Sequence, residues 1–459
     1  MSNKEIELKL LISKENLKSL LATDFVAAAI RPDSCKKRRL VSSYYDTEDM
    51  VLKEHGIAYR VRSKGDKTYE ATVKTTVKNA AGLSERLELN LPLKAARPVL
   101  SGFADMGLGY ELTELAPAGV QKLFTVSVQR TTYILDLEGA VCELAIDNGK
   151  ITAGEATDKI DEIEIELLEG DVGALLAFAK QITATVPMFV EKRSKFARGL
   201  ALLGKAADLP VNSGKLVNGN VKEAFLALVQ QWGDALLDSQ NALLQGDTSD
   251  AVLKKLRRQL LVLGGIYKLT LELAGKEYTV DDLLRVGCYN IFLEDVRDLR
   301  GLQRLWARIN LQDQEWLGRT SINKKLLEAV DKAETNLKNL ANLGSFTAVV
   351  YAVTESVYKA DLAAVTADAE TVIRNALKKW VKEGDETELE RVWALARCGE
   401  GKFYTKILEN TKKQRRQLAK KALLETWVAK LEEICESSTS KTVYRDAGVI
   451  MGYLLAKER

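Results

Sequence analysis

The sequence predicts an α+β protein: an antiparallel β-sheet or barrel in the first half, followed by an all-α helical bundle. Three observations carry that expectation. Up to about residue 168, apolar and polar residues alternate with a period of two. After about residue 220, apolar residues recur at three and four. Between them lies LGKAADLPVNSGKLVNGN (203–220), a cluster of Gly, Pro, Asn and Ser. Domains are therefore expected at 1–204 and 221–459, with 205–220 as the linker.

The first strand is expected near 4–12. In EIELKL (5–10), Ile6, Leu8 and Leu10 share one face, and Glu5, Glu7 and Lys9 share the other. A short helix fits after Ser13. Strands follow near 37–46, 57–64 and 67–77, with KGDK (64–67) turning between the last two and a short helix after Thr47. Next come a strand near 84–92, a helix around 97–106, and strands near 122–137, 140–147, 150–154 and 159–168. EGA (138–140) supplies another turn, and a helix spans 171–185. Consecutive strands joined by short turns point to antiparallel pairing. From Val221 the apolar set Phe225, Leu228, Val229, Trp232, Leu236 and Leu237 marks one helix face. Leu253, Leu256, Leu260, Leu261 and Leu263 mark the next.

Composition narrows the function. With 46% hydrophobic and 29% charged residues in 459, the chain reads as soluble and globular, with roughly two or three domains. Its 67 basic and 64 acidic residues leave a net charge of +3, so no overall field points to nucleic acid or a membrane surface. Any functional charge must be local. Cys35, Cys142, Cys288, Cys398 and Cys435 are scattered without a CxxC, as expected of reduced thiols. The opening MSNKEIELK lacks the apolar core of a signal peptide, and no apolar run reaches about 18 residues. A cytoplasmic protein with no membrane or nucleic-acid partner is expected. His55 is the single histidine. His-rich zinc sites are thereby excluded, and any Ser-His-Asp or Cys-His catalysis would have to use it. Hard metals held by carboxylates remain.

The polar face is charged in strand after strand. IAYRVRS carries Arg60 and Arg62; YEATVKT carries Glu70 and Lys74; ERLELNL carries Arg86 and Glu88. CELAIDN carries Glu143 and Asp147, and DEIEIELL carries Glu162, Glu164 and Glu166. A solvated sheet face explains any one of these strands. The set is different, because it is rich in Glu and Arg and places like charges side by side. A ligand that relieves the repulsion is implied. A barrel with this face inward would converge both signs on one lumen, carboxylates for Mg²⁺ or Mn²⁺ and cations for phosphate oxygens.

EIELK (5–9) resembles the ExExK motif of the CYTH, or triphosphate tunnel metalloenzyme, superfamily. The resemblance continues over about 200 residues through RVR (60–62), Lys74 in ATVK, SERLE (84–88), Arg130 in VQRTTY, CELAIDNG (142–149), EIEIELLEG (162–170) and SKFARGL (194–200). The arrangement, with helices after it, is similar to bacterial inorganic triphosphatases of the CYTH–CHAD type. The resemblance implies a closed antiparallel β-barrel, the triphosphate tunnel, that hydrolyses inorganic triphosphate with Mg²⁺ or Mn²⁺. By position, Glu5, Glu7, Asp147, Glu162, Glu164 and Glu166 would be metal ligands. Lys9, Arg60, Arg62, Lys74, Arg86, Arg130, Lys195 and Arg198 would bind substrate. Glu5, Glu7, Lys9, Lys74 and Arg130 form the implied catalytic set, and Glu88 and Glu143 fall on the same face. Adenylate cyclase and thiamine triphosphatase are neighbours in this fold.

In the helical half, AVLKKLRRQLLVLGG (251–265) and LEDVRDLRGLQRL (293–305) resemble parts of the CHAD domain, a helical module associated with polyphosphate. Lys254, Lys255, Arg257, Arg258 and Arg297 are the implied polyanion patch, although this half contains no histidine. A basic run on a helix is otherwise a solvated face. A polyphosphate-binding protein without turnover is the alternative reading. GLALLGKA (199–206) fits G-x4-G-K, but Ala206 replaces the Ser or Thr of a P-loop and the stretch has a helical apolar pattern.

Overall fold

The structure is a computed structural model. It describes residues 4–456 apart from 66, 81, 206–213, 218, 280, 283–285, 287–288, 313–320 and 384–385. Cys288 and most of the expected linker lie outside the described residues. The chain divides into two compact units, Met1–Ser213 and Gly214–Arg459.

The first unit is a closed antiparallel barrel. Its strands are β1 (Lys4–Leu11), β2 (Lys36–Asp46), β3 (Ile57–Ser63), β4 (Tyr69–Ala80), β5 (Leu83–Leu93), β6 (Gln121–Leu137), β7 (Ala140–Ala153) and β8 (Ala156–Gly170). They run in the order β5-β4-β3-β2-β6-β7-β8-β1. β1 also pairs with β5, which closes the ring, and the two-residue β9 (Phe189–Val190) adds to β1. Closure removes the exposed sheet edges.

Two strands expected at 140–147 and 150–154 are one. Asn148 and Gly149 look like a turn in the sequence, yet both stay in register with β6 and β8. Gly149 is required because a Cβ there would come within 2.0 Å of the Ser127 carbonyl oxygen. The helix expected around 97–106 is instead a single wide turn at Ala104–Leu108, followed by Leu112–Leu115.

The barrel is apolar outside and charged inside. On the outer face Tyr59, Val61, Ala71, Val73 and Leu89 pack with Phe103 and Leu112 from the β5–β6 connection. On the opposite side, helix Val172–Thr185 buries Leu175, Leu176 and Phe178 while packing on β6, β7 and β8. Small helices close the remaining gaps. Ser13 caps Lys14–Leu21 by accepting the Asn16 amide, and buried Asp46 accepts the amides of Thr47, Leu52 and Lys53 to hold Val51–Glu54. One end of the interior is filled by Leu40, Phe124, Val126, Ile151 and Ile160 against Leu200 of helix Lys195–Leu202. The G-x4-G-K coincidence falls here. Gly199 is on that helix, with the Phe124 ring where a Cβ would stand.

The second unit is all-α in its described residues. Its helices are Val221–Leu244, Asp250–Leu273, Tyr289–Gln312, Ser321–Asn342, Ser345–Lys359, Ala369–Glu383, Glu386–Ala396, Lys402–Glu436 and Lys441–Ala456. The first two are capped by Asn220 and Ser249 and bury the expected Leu, Val and Trp stripes. Among the described residues, no helix is long and apolar enough to cross a membrane.

Candidate active site in the barrel lumen

The charged strand faces converge on a cavity of about 930 Å³. β1 supplies its first wall. Glu5 lies opposite Arg86, Glu7 lies between Ser84 and Glu166, and Lys9 lies opposite Glu164. Arg86 stands 3.3 Å from Glu7, while Lys9 is 3.8 Å from Glu7 and 3.4 Å from Glu164. One strand further along the wall, beyond β5, Lys74 donates to both carboxylate oxygens of Glu5 at 2.8 and 2.7 Å and contacts its cross-strand neighbour Glu88. Arg60 stands 3.6 Å from Glu88.

A second group is deeper. Asp147, Glu162 and Glu164 offer oxygens within 4.8 Å of one another. The Lys195 ammonium stands among them, 2.8 Å from Asp147, 2.5 Å from Glu162 and 2.8 Å from Glu164. Arg130 donates to Asp147 at 2.7 and 2.6 Å and to Glu164 at 2.5 Å. Ser194 caps the helix that delivers Lys195, and the next residue, Phe196, stacks on Tyr44 with ring centroids 5.6 Å apart. The ammonium is thus held inward from a packed helix. Asp147 and Glu162 sit behind the cavity lining. Arg198 also lies outside it, donating to Asp158 at 2.8 Å and to Glu162 at 3.0 Å.

The charges are unevenly compensated. Burial pushes Glu5 up to about 8, since Glu7 and Glu88 add repulsion that Lys74 does not cancel. Burial opposes ionisation of Glu88 too, but Lys74 and Arg60 hold it well below the usual carboxylate range. Burial likewise pushes Glu166 up to about 7, with Glu88, Glu7 and Glu143 repelling it. Register explains this, because Glu7, Glu166 and Glu143 are successive cross-strand neighbours over β1, β8 and β7. Burial works against the charged form of Glu164, yet Lys195, Arg130 and Lys9 hold its carboxyl low. Arg62 is brought down to about 10 by burial and by Arg60 and Arg130.

Among the described residues, the carboxylates close enough together to share one ion are Asp147, Glu162 and Glu164. The row Glu7–Glu166–Glu143, with Glu5 nearby in the wall, is a set of hard oxygen donors in which burial and mutual repulsion raise Glu5 and Glu166, while Glu7 is paired with Arg86 and Lys9. Of the six expected metal ligands, Glu5, Glu7, Glu164 and Glu166 line the cavity. Glu88 and Glu143, outside the expected ligand set, line it as well. Glu70, on the expected charged face, also lines it, and Tyr44, Lys64 and Phe196 are lining residues that the alternation alone could not select.

Residues 3–200 match the CYTH domain family. This domain therefore coincides with the barrel and the helix that carries Lys195. Over 166 residues the chain is 32% identical to an inorganic triphosphatase of Haemophilus influenzae, covering 36% of this chain and 46% of that protein. The match spans about half the length of that relative. Solved structures also align. One is a Hippeastrum protein described as having a dominant triphosphatase activity: 24% identity, 45% of this chain, 98% of that chain, TM-score 0.30. Another is a Mimivirus capping-enzyme triphosphatase: 12% identity, 40% of this chain, 90% of that chain, TM-score 0.26.

The expected basic patch of the helical unit is not one surface of free cations. Lys254 and Lys255 are exposed, but Arg257 pairs with Glu390 at 3.0 Å. Arg258 stacks over Trp232, and Arg297 pairs with Asp298. Elsewhere in this unit Arg397, Lys412, Arg415 and Arg416 line a cavity of about 500 Å³ beside Trp393, together with Glu390 and Glu409, and Arg415 is paired with Glu390 at 2.7 Å.

Proposed function

We propose that the barrel hydrolyses inorganic triphosphate to pyrophosphate and orthophosphate, with Mg²⁺ or Mn²⁺. The observation that carries this reading is the pairing of signs in one lumen. Glu5, Glu7, Glu143 and Glu166 crowd one wall, where burial and repulsion raise Glu5 and Glu166, and Lys9, Arg60, Arg62, Lys74, Arg86, Arg130 and Lys195 face the same space. A triphosphate alone would satisfy the cations, a metal alone would satisfy the carboxylates, and the metal–triphosphate complex satisfies both. Similarity to a relative named as an inorganic triphosphatase supports the same substrate class.

Glu5, Glu7 and Glu166 would hold the metal, which when bound supplies charge neutralisation on phosphate oxygens. The Asp147–Glu162–Glu164 group is a second ligand set, in which Lys195 now stands. The arginines and lysines orient the chain and stabilise the charge that develops on its equatorial oxygens. A water oxygen attacks the terminal phosphorus in line, the bond to the bridging oxygen breaks, pyrophosphate leaves with the electron pair, and one proton of the water passes to solvent while the other stays on the orthophosphate. No histidine is needed, and His55 lies on the surface with Nδ1 2.8 Å from the Val51 carbonyl. Phosphate release from triphosphate, ATP, thiamine triphosphate and long polyphosphate, with metal and with EDTA, tests the reading. Metal-dependent release from triphosphate is expected; preference for ATP or thiamine triphosphate would change the substrate.

For the helical unit we propose a CHAD-like role in contacting polyphosphate. The cavity bounded by Arg397, Lys412, Arg415 and Arg416 favours it. Retention of long polyphosphate by the full-length protein should fall when Arg397 and Arg416 are replaced by Glu. Unchanged retention removes this role.

A further inference from the structure

A second, smaller cavity of about 210 Å³ opens at the end of the barrel away from helix Lys195–Leu202. That is the end where β2 starts, β3 stops, β4 starts and β6 finishes. The cavity shares Arg62, Lys64, Glu70, Arg130 and Glu143 with the main lumen, so the two spaces are continuous in their walls. What it adds comes from the start of β2, in the run KKRR (36–39). Alternation places Lys36 and Arg38 on the inner face and Lys37 and Arg39 on the outer.

The charges here are unbalanced in the opposite sense to the carboxylate row. Lys64 is paired with Glu70 at 2.8 Å, and Arg130 is held by Asp147 and Glu164. Among the described residues Lys36, Arg38 and Arg62 form no ion pair. Arg62 has only the Ser42 hydroxyl, at 3.0 Å. Arg38 is the direct cross-strand neighbour of Arg130. Like charges directly opposite one another are destabilising. Asp147 and Glu164 compensate Arg130, whereas Arg38 stands exposed at the mouth without a carboxylate of its own among the described residues. The volume equals roughly seven waters, enough for one phosphate group.

We propose that Lys36 and Arg38, together with Arg62, which the two spaces share, form a further phosphate subsite at this mouth. It takes one phosphoryl dianion beyond the three held in the lumen. Two sources share that chemistry: the orthophosphate released by hydrolysis, leaving by this end, or the distal phosphate of a chain longer than three. The inference deepens the hydrolase reading and rests on it only for the origin of the phosphate.

The test is calorimetric binding of orthophosphate and of inorganic tetraphosphate to the full-length protein. Lys36→Ala/Arg38→Ala is compared with Lys37→Ala/Arg39→Ala, which removes the same charge from the outer face. The inner pair should weaken at least one ligand by about tenfold, a loss of about 1.4 kcal/mol, and the outer pair should not. Weakening confined to orthophosphate identifies the leaving product, and weakening confined to tetraphosphate identifies the longer chain. Equal effects of the two variants, or none, overturn the subsite. Hydrolysis followed in parallel separates the two readings. Selective binding without turnover leaves the subsite and removes the hydrolase, whereas turnover without selective binding does the reverse.

Discussion

Lys74 and Glu5 are 69 positions apart in sequence, yet the lysine ammonium reaches both oxygens of the carboxylate, at 2.8 and 2.7 Å. The contact spans the intervening strand β5 and exists because β1 closes the barrel against β5. It does not complete the neutralisation of Glu5, whose carboxyl is still pushed up to about 8 by burial and by Glu7 and Glu88.

A pH dependence follows. A carboxyl raised from 4.5 to about 8 binds its proton more tightly in the folded state. Its contribution to stability is complete below the unfolded value and is lost as pH rises toward 8. Glu166, raised to about 7, acts in the same sense. In metal-free buffer the melting temperature should therefore fall between about pH 5 and 8. Glu5→Gln should remove the slope between about pH 7 and 8 and reduce it between about pH 5 and 7, where Glu166 still contributes. Thermal denaturation across pH checks it, and identical curves for the two proteins would contradict it.

Metal should reverse the effect. Mg²⁺ or Mn²⁺ bound by Glu5, Glu7 and Glu166 favours their ionised forms, so the gain in melting temperature should be larger at pH 8 than at pH 5. Glu166→Gln should reduce the gain. A metal-induced shift independent of pH would place the ion elsewhere.

Loss of the β1 charges should abolish turnover. Glu7→Ala removes a proposed metal ligand and Lys9→Ala a proposed phosphate contact. Each is expected to lower kcat/KM by at least about 100-fold. Circular dichroism should show the barrel intact. Retained turnover in both variants would exclude the lumen as the site.

Arg130→Ala tests the deeper group by stability. Arg130 holds Asp147, whose side chain is fully buried, and also Glu164. Lys195 remains beside both carboxylates, so the cost should sit at the lower end for a broken buried pair, about 3 kcal/mol. Urea denaturation at pH 7 measures it. A change within experimental error would mean that Lys195 alone satisfies the group.

The sequence by itself determined the strands, their two chemically different faces and the identity of most charged side chains in the lumen. Glu5, Glu7, Lys9, Arg60, Arg62, Lys74 and Arg86 are legible there because a strand has a strict period of two. The same period misled at Asn148–Gly149, where turn-forming residues sit inside a continuous strand to allow a close backbone approach. Alternation also cannot say which face is enclosed. Only closure of β1 on β5, with helices covering the apolar side, turned the charged face inward. Register then decided which charges meet. It set Glu7 beside Glu166 and Arg38 beside Arg130, and left Asp147, Glu162 and Glu164 around an ammonium from a helix outside the strands. Compensation between buried charges depends on distances of a few ångströms across the barrel, and those distances exist only once the ring is closed.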